Sequence, residues 1–478
     1  MTAFLISLAI LIAGYAVYGW IVDRIMGTRA DADVPALTKA DGVDFVPMPT
    51  WKVFLIQFLN IAGLGPIFGA IMGIMFGPAA FLWIALGTIF AGAVHDFTSG
   101  VISMREGGAS LPEIIGLELG NKVKTVSMVF GVLLLILVGA VFIITPADLL
   151  AGMTPDWAGS VFWIMVIFAY YMLATLLPID KLIGNLYPVF GLALLFMAAG
   201  LMGILLFGDV TIPVSFNQIA EYDSSAAVFP MMFVSIACGA ISGFHATQSP
   251  MMARCIKNEK LARPIFYGAM VAEGIVALIW AAAAVTFAGS YEQLTEYMAG
   301  EGHSAGSLVS EISHDWLGAI GGLLALLGVI AAPITTGDTA LRSARLMIAD
   351  FAHFDQKKIV HRLIITLPIF TLVFFIMLID FQVLWRYFAW SNQTLSVFTL
   401  WAVTVYLARR HLPYVITMLP AMFMTMVSIT YIFYAPEGFN LGMGAGIAAG
   451  IIVNVLFLAL FARFVLQLNK PCHSTSAQ

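Results

Sequence analysis

Residues 60–70 read NIAGLGPIFGA and lie in the middle of an apolar run that is long enough to cross a membrane. Gly63, Gly65 and Pro66 fall within about one helical turn, where they remove a backbone hydrogen bond and lower the cost of unwinding. Backbone groups freed in lipid are tolerated only where protein or a water-filled cavity satisfies them. We therefore predict a broken helix at mid-membrane that offers N–H groups to an anion and carbonyl groups to a cation. A glycine-rich packing face with a proline kink is the alternative.

The composition of the whole chain is that of a membrane protein. Of its 478 residues, 61% are hydrophobic and 10% are charged, and the mean hydropathy is +0.97. Soluble proteins are roughly 45–50% apolar and about 25% charged, so soluble folds are excluded. We predict an all-α polytopic membrane protein with about thirteen transmembrane helices. The predicted spans are residues 4–22, 51–76, 78–103, 125–144, 160–178, 183–207, 227–246, 264–287, 316–334, 363–378, 381–408, 414–434 and 441–465.

The basic residues lie on one side of the predicted membrane. When the spans are threaded alternately, every Lys and Arg except Arg386 falls on the same side. The positive-inside rule then places the C-terminus in the cytoplasm and the N-terminus outside. Arg386 lies inside the eleventh span, and we interpret it as snorkelling to the outer interface near Asp380; the alternative is an arginine that faces the protein interior, where it is paired or wetted. The net charge of −5 does not favour a nucleic-acid partner.

The sequence carries no pattern typical of an enzyme or of a metal centre. Cys238, Cys255 and Cys472 show neither pairing nor metal-ligand spacing, so we expect neither a structural disulfide nor a zinc site. There is no pair of histidines spaced for one helix face, no HExxH motif and no serine-base arrangement. An integral membrane enzyme is therefore disfavoured.

Two further spans place helix breakers next to polar side chains. The seventh span ends in CGAISGFHATQSP at residues 238–250, and the ninth runs into APITTGDT at residues 332–339. We predict a break in each span, with the polar groups of the seventh at the substrate. The threonines and the aspartate of the ninth could ligate a cation or relay a proton. The alternative for both is helix termination at the cytoplasmic face, with Thr and Asp capping the next helix.

The predicted topology contains two sets of five helices in opposite orientation. Spans two to six begin inside and spans seven to eleven begin outside, and each set opens with a broken helix. Interrupted segments at corresponding positions of inverted repeats are typical of transporter binding sites. We therefore divide the chain into an N-terminal helix and loop, two inverted repeats, and two C-terminal helices with a cytoplasmic tail. These units are residues 1–50, 51–207, 227–410 and 411–478.

Ionisable residues also lie inside the predicted spans. His95 and Asp96 fall late in the third span, and Glu273 lies about two turns inside the eighth. Ionisable groups within a membrane are candidates for function, often as proton carriers. A structural role is the alternative: Asp96 is near the inner end of its span, and a neutral Glu273 could hold helices together by hydrogen bonds.

Several of these runs together resemble the carbon-starvation (CstA) family of bacterial inner-membrane transporters. The similarity rests on GLGP at 63–66, AGAVHDF at 91–97, the stretch 237–245, PITTGD at 333–338 followed by RSAR at 342–345, and WRYFAWSNQ at 385–393. The chain is similar to the compact branch, because the large members have extra spans. Its seventh span departs from the family pattern after His245, so the substrate stays open.

This resemblance implies uptake of carbon and nitrogen sources, by pyruvate–proton symport or by peptide uptake. It also implies the five-plus-five inverted repeat of the amino acid–polyamine–organocation superfamily, a LeuT-like core in which the first helix of each repeat is unwound at the substrate. In sodium-coupled members the eighth core helix, here the ninth span, supplies hydroxyl groups to a sodium site. Thr335, Thr336 and Thr339 occupy a suitable place, so either sodium or a proton could couple transport.

We therefore predict a secondary active transporter that imports a small, pyruvate-like carboxylate with a proton by alternating access. A peptide transporter is the second interpretation, and a channel is less favoured. The predicted partners are the lipid bilayer and a small-molecule substrate, with no cofactor beyond the coupling proton or sodium ion. The predicted substrate-binding residues are Asn60, Gly63, Gly65, Ser242, Gly243, His245, Gln248, Trp390 and Asn392. The candidates for proton coupling are His95, Asp96, His245, Glu273 and Asp338.

Overall fold

A computed structural model describes residues 1–42, 45–175, 179–219, 222, 227–300, 303–352, 354, 356 and 358–468, without the side chains of 179–187 and 350. Several predicted features lie outside this description. They are the end of the fifth span at residue 178, the basic residues Lys357 and Lys470, Cys472, and the predicted tail beyond residue 468.

The described residues form helices and no strand, which confirms the all-α class. In chain order the helices are α1 (Thr2–Met26), α2 (Pro35–Thr38), α3 (Thr50–Ile61), α4 (Gly65–Ile74), α5 (Ala79–Arg105), α6 (Leu111–Leu119), α7 (Asn121–Met153), α8 (Ser160–Ala174), α9 (Ile179–Phe207), α10 (Val228–Ser235), α11 (His245–Ala253), α12 (Glu259–Ala288), α13 (Tyr291–Ala299), α14 (Ala305–Ala325), α15 (Ala332–Phe351), α16 (Ile359–Ile376), α17 (Phe381–Arg409), α18 (Val415–Tyr434) and α19 (Met443–Leu468).

The helices support a multi-pass membrane protein. Among the described residues, nine helices are long and apolar enough to cross a membrane, or ten if α3 and α4 form one bent span. Each predicted span overlaps a helix, and the seventh overlaps both α10 and α11. Thirteen crossings and the inverted repeat remain predictions.

The first two predicted breaks are present. Helix α3 ends at Ile61 and α4 begins at Gly65, with a bend of 52° between their axes. Helix α10 ends at Ser235 and α11 begins at His245, so nine residues between them are not α-helical. Within that second break Gly239 has a φ of +88°, a backbone conformation that residues with a Cβ rarely adopt.

The third predicted break is wrong. Residues 332–339 lie in the single helix α15, which continues to Phe351. Pro333 falls in the first turn of this helix, directly after the π-helical segment Leu326–Ala331. The helix runs on through this π-helical segment, and local π geometry satisfies the backbone groups that a proline frees inside a membrane helix.

Close packing brings the two breaks together. A Cβ at Gly65 would lie 2.2 Å from the Cys238 Cβ, and one at Gly73 would lie 2.1 Å from Ile236 Cγ1. Small residues therefore let α4 lie directly against the second break. Around them, α4 also packs against α12, α11 packs against α3 and α5, and α7 packs along α15 and α17.

Candidate substrate and coupling site

The first helix break presents polar groups without partners. Within the described part of the chain, the amide N–H groups of Gly63 and Leu64 meet no hydrogen-bond acceptor. The side chain of Asn60 is 1% exposed, and neither its oxygen nor its nitrogen has a hydrogen-bond partner there. A buried polar group left unpaired costs about 1–3 kcal/mol. These three residues are therefore candidates for contact with a ligand.

The second helix break is held by Asn392 of α17. The side-chain oxygen of Asn392 accepts hydrogen bonds from Ser242 Oγ at 2.7 Å and from the Phe244 amide at 3.2 Å. The Gly243 amide donates to the backbone oxygen of Asn392 at 3.0 Å. The structure thus brings three predicted substrate-binding residues together, but they bond to one another.

The other end of the second break is held by α5 and α12. The Gly239 amide donates to Glu273 Oε1 at 3.1 Å, and the Gly239 carbonyl oxygen accepts from Thr88 Oγ1 at 2.8 Å. Glu273 belongs to α12 and Thr88 to α5. Side chains therefore replace hydrogen bonds that a continuous helix would have made, as irregular backbone at membrane depth requires.

Four of the five predicted proton-coupling residues form one buried row. Asp96 lies between two imidazoles: its Oδ1 is 2.8 Å from His95 Nδ1, and its Oδ2 is 3.0 Å from His245 Nδ1. On the far side of the ring, His245 Nε2 lies 3.5 Å from Glu273 Oε2. All four side chains are fully buried. We call His95, Asp96, His245 and Glu273 the acid–base row.

The acid–base row holds two carboxyl groups and two imidazoles. Its net charge is zero only when the protonated imidazoles equal the ionised carboxylates in number. A net charge sealed away from water at membrane depth costs several kcal/mol. Each proton that enters or leaves changes the charge of the row by one unit.

The second break and α12 also bring together three side chains of types that bind metal ions. Ligand atoms of Cys238, His245 and Glu273 all lie within 4.8 Å of one another, although their sequence spacing gave no sign of it. Such a trio could hold a metal ion, but a structural zinc site takes four protein ligands. Both Glu273 oxygens are already engaged, one with the Gly239 amide and one facing His245. We therefore interpret these groups as an acid–base arrangement.

Hydroxyl and carbonyl oxygens meet where α15 faces the end of α3. Thr336 Oγ1 lies 3.2 Å from the Leu59 oxygen and 3.1 Å from the Ala332 oxygen. Thr335 Oγ1 lies 2.6 Å from the same Ala332 oxygen. Thr339 instead donates to the Thr336 carbonyl oxygen within its own helix. Oxygen atoms are the ligands that hard cations prefer, so Thr335 and Thr336 could contribute to a sodium site and Thr339 is less suited.

Three of the predicted residues contact groups outside the two breaks. Asp338 lies 3.8 Å from Arg342, one helical turn further along α15, and is separate from the acid–base row. Trp390 Nε1 donates to the Ser428 carbonyl oxygen of α18 at 3.0 Å. Gln248 is fully buried on α11 and donates to Thr247 at 2.9 Å.

Sequence reasoning missed Thr88 and Cys238 as parts of this site. Both are small residues in apolar spans, where a threonine or cysteine alone carries no functional signal. Their partners Gly239 and Gly65 lie 151 or more positions away. The glycine pattern was the available signal, because it marks close backbone approach without naming the partner.

Comparison of the sequence with known proteins gives consistent matches. The family model described as carbon starvation protein CstA matches residues 1–163 and 156–317. A membrane protein of Haemophilus influenzae is 41% identical over 338 residues, which are 60% of this chain and 91% of that protein.

Two relatives carry names that state a transport activity. The peptide transporter CstA of Campylobacter jejuni and the pyruvate/proton symporter BtsT of Escherichia coli are each 28% identical over 57% of this chain. The matches cover 48% and 47% of those proteins, so this chain spans about half the length of each.

Solved structures show a similar fold. A mutant of the manganese transporter of Eremococcus coleocola has a TM-score of 0.56 and 12% identity, over 90% of this chain and 98% of that one. A Na⁺-coupled sialic acid symporter in a substrate-bound outward-open state has a TM-score of 0.51 and 14% identity, over 96% of this chain and 98% of that one. At such identities the likeness shows only that the chain shares the helical fold of these two proteins.

Proposed function

Since the chain belongs to the carbon starvation protein CstA family, we propose that it is a secondary active transporter that imports a small, pyruvate-like carboxylate together with a proton. Transport would follow alternating access across a bacterial inner membrane. The proposal includes the N-terminus outside, the C-terminus in the cytoplasm, about thirteen crossings and two five-helix inverted repeats. The observation that carries it is the acid–base row, which is sealed in the protein beside both helix breaks.

The carboxylate binds at the first break in this proposal. The free amides of Gly63 and Leu64 stand at the start of α4, where backbone N–H groups and the helix dipole favour an anion. The side-chain amide of Asn60 is buried and unpartnered, so it can donate a further hydrogen bond. A substrate that satisfies these groups removes their desolvation cost, which favours binding.

The proton binds on the acid–base row. His245 begins α11 at the edge of the second break, and Glu273 reaches the same break through Gly239. Protonation of the row changes its charge, and the charge change biases the helices that the break allows to move. A monocarboxylate that enters with one proton makes the cycle electroneutral, which suits a binding region with few cationic side chains.

Uptake into proteoliposomes tests the proposal. A pH gradient, inside alkaline, should drive accumulation of labelled pyruvate, and a protonophore should collapse it. A sodium gradient alone should drive none. Uptake that ignores both gradients overturns the coupling, and labelled dipeptide accumulation without pyruvate accumulation overturns the substrate.

Sodium coupling is the second candidate, and one contact favours it. Thr336 reaches the Leu59 carbonyl oxygen directly before the first break, so hydroxyl and carbonyl oxygens from two helices converge. Under this alternative a sodium gradient would replace the pH gradient in the same uptake assay. A peptide substrate is suggested by the name of the C. jejuni relative. Labelled dipeptide in the same uptake assay distinguishes it from pyruvate.

A further inference from the structure

Arg386 is the basic residue that the predicted topology does not place on the cytoplasmic side of the membrane. Its side chain, near the start of α17, is 40% exposed, and its Nε lies 3.2 Å from Glu437 Oε1. Asp380, the neighbour expected from the sequence, instead accepts hydrogen bonds from the amides of Gln382 and Val383. The guanidinium is thus held at one edge by a carboxylate from the loop between α18 and α19.

Glu437 is itself fixed in place. Its carboxylate accepts a hydrogen bond from Tyr431, and its backbone oxygen accepts one from Tyr387 at 2.7 Å. The Glu437 side chain is 6% exposed, so the carboxylate offers Arg386 a rigid anchor. A guanidinium carries five N–H groups in a planar fork, so a carboxylate at its Nε edge leaves other N–H groups for a second anion.

Arg386 lines a cavity that reaches Ser235, the last residue of α10 before the second break. This cavity has a volume of about 490 Å³ and is bordered by Met72 of α4 and by Val234 and Ser235 of α10. These helix segments lie on the predicted outer side of the two breaks. Among the described residues that line the cavity, Arg386 carries the one charged side chain.

A second cavity on the same side has the opposite charge. It has a volume of about 590 Å³, contains Asp148 and Glu311, and shares Met72 and Trp385 with the first. An anion that enters the first cavity therefore meets the Arg386 guanidinium, and one that enters the second meets the carboxyl groups of Asp148 and Glu311. Over distances within about 8–10 Å, this difference directs an anion to the cavity of Arg386.

We propose that Arg386 is the outer recognition residue for the substrate carboxylate, held in place by Glu437 in the cavity that borders α4 and the end of α10. This assignment rests on the proposed function, because it names the group that receives the same carboxylate first. Arg386 attracts and orients the anion, and the first break then binds it. Its loss should raise KM and change the maximal rate less.

The test uses Arg386→Gln with a control from the same helix. Arg409 lies at the other end of α17, is 44% exposed, and places its Nε 3.2 Å from Glu118, which is 7% exposed. Arg409→Gln therefore removes the same charge and an ion pair of the same length, away from the cavity. Labelled pyruvate uptake driven by a pH gradient is measured over a range of pyruvate concentrations, at low and at high ionic strength.

We expect Arg386→Gln to raise KM about tenfold and Arg409→Gln to change it less than about twofold. High salt should raise the KM of the wild type, because salt screens the attraction, and should leave the KM of Arg386→Gln nearly unchanged. Arg386→Lys keeps the charge but not the planar fork of N–H groups, so its KM should lie between that of the wild type and that of Arg386→Gln. Arg386→Lys also tests the assignment if Arg386→Gln does not fold.

Each result decides the assignment. If KM of Arg386→Gln or of Arg386→Lys equals that of the wild type while the wild type accumulates pyruvate, the role of Arg386 is overturned and the proposed function stands. Equal rises in KM for Arg386→Gln and Arg409→Gln also overturn it. If the wild type accumulates no pyruvate, the proposed function fails, and this assignment fails with it.

Discussion

The two helix breaks differ in how the surrounding helices hold them. The first spans only three residues, 62–64, and leaves amides and the side chain of Asn60 without partners in the described part of the chain. The second spans nine residues, 236–244, and is tied to the surrounding helices through Asn392, Glu273 and Thr88.

This difference separates two tasks that the sequence assigned to both breaks. Unsatisfied groups at the first break gain stability when a ligand arrives, so that break is suited to binding. Asn392, Glu273 and Thr88 hold part of the backbone of the second break, and these bonds lead to the acid–base row, so that break is suited to respond to a proton. Variants at the two breaks test whether the first break binds the substrate and the second responds to a proton.

Replacing His245 should break the coupling at the second break. His245→Gln keeps a polar side chain but removes the imidazole that links Asp96 to Glu273. Accumulation driven by a pH gradient should fall by about 100-fold or more, a typical size for losing a proton-transfer group. Exchange of labelled for unlabelled pyruvate, which needs no net proton movement, should persist. His314→Gln, an exposed histidine beside Asp315, is the control.

A methyl group at the first break should push the two breaks apart. The Cβ of Gly65→Ala would lie 2.2 Å from Cys238 Cβ, so the helices must shift. We expect a destabilisation of about 1–3 kcal/mol and transport reduced about tenfold. Cys238→Gly in the same chain should restore part of both losses. Gly203→Ala, which meets no atom within 4 Å, should be neutral. Transport that survives Gly65→Ala unchanged would show that the breaks need not touch.

Two asparagines separate binding from stability. Asn60→Leu removes an unpaired buried amide, so the unfolding temperature should stay equal or rise while KM rises about tenfold. Asn392→Leu leaves Ser242 and the Phe244 amide without their acceptor, and should destabilise the protein by about 2–3 kcal/mol. Thermal unfolding and uptake are measured for both variants. Equal destabilisation in both would contradict the difference between the breaks.

The smallest effect is expected at Thr336. Thr336→Val removes the hydroxyl near the Leu59 oxygen but keeps the shape of the side chain. Proton-driven uptake should change less than about twofold, since the hydroxyl lies outside the acid–base row. Thr399→Val, whose hydroxyl bonds only within its own helix, is the control. A large loss at Thr336 alone, together with dependence on sodium, would favour the sodium alternative.

The sequence predicts those structural features that are caused by residues close together in the chain. Gly63, Gly65 and Pro66 weaken a helix wherever they occur, so the first break could be predicted from them. Pro333 gave a wrong prediction because the helix continues through the π-helical segment Leu326–Ala331 next to it, and the sequence pattern did not reveal that segment.

The assembly of the site depends on distant contacts. His95, Asp96, His245 and Glu273 were each noticed as ionisable residues, but their row joins helices whose residues lie 149 positions apart. Likewise Asn60 and Asn392 look alike in sequence, yet only Asn392 meets Ser242, across 150 positions. Packing between helices decides which polar side chain has a hydrogen-bond partner and which has none. One sequence does not carry that information.

Proton movement driven by the substrate distinguishes symport through His245 from exchange without a proton. Proteoliposomes carrying a pH-sensitive dye inside and no imposed gradient receive pyruvate from outside. The account predicts acidification of the interior with the wild type and none with His245→Gln, although that variant still exchanges pyruvate. Pyruvate uptake by the wild type without acidification, or equal acidification by both proteins, would contradict it.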